Sequence, residues 1–98
     1  MKINNKQRKF LKSKAHHLKP VVIIGRDVVG ESVFSAIDQS IDSHELIKIK
    51  FHHHKDYKRE IVDNINQKIE AQLIGIVGNV AIIYRQNKDI NKRKYFID

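Results

Sequence analysis

Residues 21–33 read VVIIGRDVVGESV. A continuous run of four β-branched residues gives way to a glycine, two charges, two valines, a second glycine and then Glu31-Ser32. The run predicts a short strand buried on both faces, and Gly30 with Glu31-Ser32 behind it predicts the start of a helix. From Gly25 to Ser32 the stretch also matches the phosphate-loop pattern G-x-x-x-x-G-K-[ST], except that Glu31 stands where the lysine belongs. In a true phosphate loop that lysine reaches the β- and γ-phosphates, so a carboxylate there repels the anion. Hydrolysis of ATP or GTP is therefore not expected, and neither is a nucleotide cofactor. Two readings of the stretch survive: a loop whose free amides at a helix N-terminus meet a phosphate, with Gly25 giving access and Arg26 a charge, or a tight βα turn in which Gly25 simply ends the strand.

Upstream, NNKQRKFLKSKAHHLKP predicts a helix capped by Asn4 or Asn5 and closed by Pro20. Gln7, Phe10, Leu11, Lys14 and Leu18 recur on one side, with Ala15 beside them, while Lys6, Arg8, Lys9, Lys12 and Lys19 take the rest. Downstream, a second helix is expected from about residue 30 to 42, with Val33, Ala36, Ile37, Ser40 and Ile41 on its apolar face. ELIKIKF (45–51) then alternates cleanly, Ile47, Ile49 and Phe51 against Lys48 and Lys50, as a strand with one basic open face does. A third helix should follow HHHKDYKRE, with Asp56 as N-cap and Ile61, Val62, Ile65 and Ile69 as its core stripe. LIGIV and VAIIYR flank Gly78-Asn79, a two-residue hairpin turn. The tail from residue 86 is polar and basic, suited to an edge strand or a loose end. The order is α-β-α-β-α-β-β: a single α/β domain spanning 1–98 on a mixed four-stranded sheet. The second and third helices should share one face, with the first on the other face or at an edge.

The chain carries a net charge of +8 and no cysteine. Without thiolates, neither a disulfide framework nor a cysteine metal site can form. The charge is segregated: residues 1–25 hold seven Lys/Arg and no acid, residues 26–84 seven basic and nine acidic residues, and residues 85–98 five basic and two acidic. Segregation of this kind points to a polyanionic partner, nucleic acid before an anionic membrane. With no apolar run long enough for a signal peptide or a membrane span, a cytoplasmic, membrane-free protein is expected.

His52-His53-His54 suggests a metal, yet neighbours on an extended segment point in opposite directions, and no helical H-x-x-x-H pair supports them. A solvated turn is the simpler reading. His16 and His17 close the basic helix, where they complement its dipole and can meet RNA. Ser13, Ser32, Ser35, Ser40 and Ser43 sit in no nucleophile elbow, so no catalytic set is proposed. GIVG (75–78) matches the G-x-x-G of KH domains but lies along a strand into a turn rather than in a loop.

Three blocks in this order and spacing, NKQRKFLKSKAHHLKPVVIIG, ELIKIKF and IGIVGNVAIIYR, together with the closing KRK, resemble the bacterial YhbY-type proteins. These are stand-alone CRM domains, named for chloroplast RNA splicing and ribosome maturation. The resemblance implies a fold similar to the C-terminal domain of translation initiation factor three. It also implies RNA binding and association with precursors of the large ribosomal subunit. The family's RNA-contacting G-x-x-G loop falls on Gly25-Arg26-Asp27-Val28, with the second glycine replaced by valine. Expected RNA contacts are Lys6, Arg8, Lys9, Lys12, His16 and Lys19 on the first helix; Gly25, Arg26 and Asp27 on the loop; Lys48 and Lys50 on the sheet; and Arg85, Lys92, Arg93 and Lys94 toward the tail. No cofactor or metal is expected, and the protein should act as a monomer. The alternative is a module that binds an acidic ribosomal or regulatory protein.

Overall fold

A computed structural model describes residues 2–27 and 29–97; Val28, the departure from the G-x-x-G pattern, lies outside the described residues. The elements run α1 (Asn5–Ala15), β1 (Val22–Ile24), α2 (Glu31–His44), β2 (Leu46–Phe51), α3 (Lys58–Ile69), β3 (Gln72–Val77) and β4 (Val80–Tyr84). Short 3-10 turns cover Lys55–Tyr57 and Ile90–Lys92. The sheet order is β1-β2-β4-β3, with β1 and β2 parallel and the other two pairings antiparallel.

Two cores follow from the alternation along β2. Ile47, Ile49 and Phe51 face α2 and α3, meeting Phe34, Ile37 and Ile41 from one helix and Val62, Ile65 and Ile69 from the other. Leu46 faces the opposite way, into a smaller core with Leu11, Ala15, Ile74, Ile82 and Tyr84. The apolar face of α2 centres on Phe34, which the expected stripe omitted, while Ala36 is exposed. α1 stops at Ala15, short of Leu18, because Pro20 lies just beyond and the chain must turn into β1. Its N-terminus closes a reciprocal box: the Gln7 amide donates to Asn4 Oδ1 at 2.8 Å, and the Asn4 amide donates to Gln7 Oε1 at 3.0 Å. That explains a buried glutamine on the apolar side. Asp56 is not the cap of α3; the 3-10 turn comes first, and Tyr57 caps the helix without a side-chain bond.

β1 corrects a second expectation. It is an edge strand rather than a buried one, and Ile23 is 56% exposed. Val22 and Ile24 turn to the larger core, but α1 covers only the Leu46–Tyr84 end of the sheet's other face, leaving Ile23 uncovered. A run of aliphatic residues signals a strand; it does not say how many layers cover it.

The tail is neither an edge strand nor a loose end. Glu45, fully buried and at φ 63°, ends α2 and aims its carboxylate at the tail backbone. Oε2 accepts from the Asn87 amide at 2.6 Å, and Oε1 accepts from the Lys94 and Tyr95 amides at 2.6 and 3.2 Å. Tyr95 and Ile97 then pack against the smaller core. Burial, then the nearby Glu45 carboxylate, pushes the Tyr84 phenol up to about 12 from 10.0; the same two causes raise Tyr95. Between pH 10 and 12 the unfolded chain ionises Tyr84 while the folded protein keeps it neutral, so stability present below pH 10 is lost as pH rises through about 12. Thermal melts across that window should show a falling Tm, with a shallower slope in Tyr84→Phe.

Candidate nucleic-acid interface

Where α1 ends its cover, the sheet face and the helix form an open groove of about 730 Å³. Lys12, His16 and His17 line one side and Lys48 and Lys50 rise from β2, over a floor of Val77, Val80 and Ile82. Among the described residues no acidic side chain lines it. The strand register explains the composition. Ile23, Lys50, Val80 and Val77 sit side by side across the four strands as one row, and Lys48, Ile82 and Gly75 form the next. Lys12 lies across Gly75, whose missing side chain makes the room: a Cβ there would stand 3.0 Å from Lys12 Cε.

Lys48 has a second task. Its ammonium donates to Leu18 O at 3.0 Å and His16 O at 3.4 Å, satisfying carbonyls at the end of α1 and tying the helix exit to the sheet. Lys50 is exposed and makes no such bond. The His16 and His17 rings meet edge to face with centroids 5.2 Å apart. Lys6, Lys9 and Lys19 are exposed along the same basic segment.

The loop after β1 lies at the same sheet end as Lys50, since Ile23 pairs with Lys50 and Ile24 with Phe51. Gly25, Arg26 and Asp27 are all exposed there. A side chain built on Gly25 would meet nothing within 4 Å among the described residues, so no packing there requires a glycine. The histidine turn braces this loop: the His52 and His53 amides donate to Ile24 O, and His54 Nε2–H donates to Arg26 O at 3.0 Å. No group of three metal-ligating side chains occurs among the described residues. Glu31, at the first turn of α2, pairs with Lys68 at 3.5 Å instead of facing the loop.

Besides Lys48, three expected RNA contacts, Arg8, Arg85 and Arg93, are engaged inside the protein. Arg8 donates through Nη1 to Leu73 O and to Ile74 O at 2.9 Å, satisfying carbonyls at the irregular part of edge strand β3. Arg8→Ala should therefore cost about 1.5–3 kcal/mol of stability in denaturant melts, the usual worth of charge-assisted bonds. RNA affinity should fall much less than for a groove lysine. Arg85 is held by Asp38 and Asp42 and donates to Ile69 O at 2.9 Å, on the α2–α3 side. It lines a different cleft of about 430 Å³ with Arg93, whose guanidinium donates to Asn87 O at 2.8 Å.

Lys92 and Lys94 are exposed, but the tail is anchored at Glu45, at the start of β2. The Gly25 loop sits at the other end of that six-residue strand, roughly 17 Å away at ~3.3 Å per residue. The structure thus brings Lys12, His16, Lys48 and Lys50 together, sets the Gly25 loop beside them, and leaves the tail cations apart. Val77, Val80 and Ile23 were not among the expected contacts; only the register of β1, β2, β3 and β4 reveals that they flank Lys50.

Among known proteins, the pattern of the CRS1 / YhbY (CRM) domain matches residues 3–85. The chain is 33% identical over 93 residues to a protein of Pseudomonas aeruginosa named a probable RNA-binding protein, covering 94% of this chain and 89% of the relative. It is also 33% identical over 88 residues to an RNA-binding protein of Haemophilus influenzae, with 89% of each covered. The solution structure of a hypothetical Staphylococcus aureus protein, proposed to bind RNA, superposes with a TM-score of 0.78 at 26% identity, over 95% of this chain and 98% of that one.

Proposed function

The chain belongs to the CRS1/YhbY (CRM) domain family, and from that premise we propose that it is a non-catalytic, cytoplasmic RNA-binding protein. It acts as a monomer on ribosomal RNA in precursors of the large subunit. The observation that carries this reading is the groove beside α1: cations and imidazoles on its sides, no acid among the described residues, and an exposed glycine loop at its end. Phosphates supply the matching charge, and a loop whose glycine is required by no packing among the described residues suits close approach of a nucleic-acid backbone. An acidic protein would satisfy the cations equally, but the relatives named for RNA binding favour RNA.

Two outcomes are expected. Gly25→Ala should melt like the parent while binding structured ribosomal RNA several-fold more weakly. In sucrose gradients of cell extract, the protein should travel with immature large subunits, and crosslinking in that fraction should join it to RNA. Protein confined to the top of the gradient would overturn the ribosomal assignment.

A further inference from the structure

The groove floor at Val77 and the edge strand beside it, at Val21 and Ile23, carry more apolar surface than a phosphate site needs. Val77 is 59% exposed, Ile23 56% and Val21 45%, and the first two lie in one row on either side of Lys50 and Val80. Burying such a row is favourable only against an apolar partner surface. A paired RNA helix offers phosphates, ribose hydroxyls and groove edges, with its base faces already stacked. An unpaired base offers a free π face, which aliphatic and imidazole groups can cover, while the adjacent phosphates meet cations.

We propose that this groove is a slot for an unpaired nucleobase. The base lies on the aliphatic row at Val80 and Val77, beside the His16–His17 edge, with its flanking phosphates held by Lys12 and Lys50. Charge complementarity selects the occupant: among the described residues, five basic side chains and no carboxylate line the groove. The slot rests on the RNA-binding reading and narrows it, from any structured RNA to RNA with a bulged or looped-out nucleotide. Stacking on the aliphatic floor of Val77, Val80 and Ile82 is tolerant of base identity, as every base has a π face.

The test compares three RNA hairpins with the same stem, each closed by a non-nucleotide linker so that no loop base is unpaired; the abasic bulge matches the bulged RNA in length and charge. One is fully paired, one carries a single bulged 2-aminopurine, and one carries an abasic bulge. Binding and 2-aminopurine fluorescence are followed at one fixed salt concentration. The bulged RNA should bind about tenfold tighter than the other two, the ordinary worth of one stacked base, and its fluorescence should change on binding. The neutral double variant Ile23→Ser/Val77→Ser changes only exposed positions; it should bind the bulged and the paired hairpins with equal affinity, the tenfold preference having been lost. Equal affinity for all three hairpins, or a preference that survives the double variant, overturns the slot while leaving RNA binding intact; the apolar row would then be left to a protein partner. No binding to any hairpin at low salt overturns the RNA reading itself, and the slot with it.

Discussion

Reversing the charge of the groove, with Lys12→Glu and Lys50→Glu together, should weaken binding to structured RNA by roughly a hundredfold near physiological salt. Each lysine that neutralises a phosphate releases condensed counterions, and each glutamate adds repulsion in its place. The loss should be nearly uniform across RNA sequences, because phosphate contacts position and do not read. A plot of log affinity against log salt should flatten by about 0.7–0.9 per contact removed. Both side chains are exposed, so melting should stay within about 0.5 kcal/mol of the parent. The corresponding reversal at Arg85 would break ion pairs with Asp38 and Asp42 and so lower stability, with little change in RNA affinity. That contrast separates the groove from general positive charge.

The largest stability effect is expected at Glu45. Its buried carboxylate holds three tail amides, those of Asn87, Lys94 and Tyr95. Glu45→Ala removes every acceptor at once, and the tail must then either leave three amides unpaired or peel away and expose Tyr84 and Leu46. A loss on the order of 3 kcal/mol is expected, or roughly 10–20 °C in Tm for a domain of this size. Glu45→Gln should fall between the two, since its amide nitrogen turns a donor toward a donor. Hydrogen exchange is the sharper readout: the amides of Asn87, Lys94 and Tyr95 should lose protection first, before those of β2. Equal protection in parent and variant would show that Tyr95 and Ile97 alone hold the tail.

The element order, the hairpin at Gly78-Asn79 and the two faces of ELIKIKF could be read from the sequence because each is a local pattern. Periodicity, a turn pair and strict alternation all act over a few residues. The misreadings share one cause. Arg8 reaches carbonyls 65 and 66 residues away, and Arg85 an aspartate 47 residues away, so neither partner is visible in the surrounding sequence. Glu45 reads as the polar first residue of a strand, yet its contacts lie up to 50 residues on. Ile23 reads as buried because its neighbours are aliphatic, and only the limited cover of α1 leaves it open. The basic half of the site was thus legible and its apolar half was not. Charge announces itself in composition, whereas an exposed aliphatic row exists only once strand register is set.

The central claim is that RNA is held along the groove between α1 and the open sheet face. Amide and methyl chemical shifts, followed during titration with a ribosomal RNA fragment, test it most directly in a chain of 98 residues. The largest changes should fall on Lys12, His16, His17, Gly25, Arg26 and Lys50 and on the Val77 and Val80 methyls, fading as salt rises. Changes centred instead on the cleft of Arg85, Asn87 and Arg93, with the groove unmoved, would contradict it.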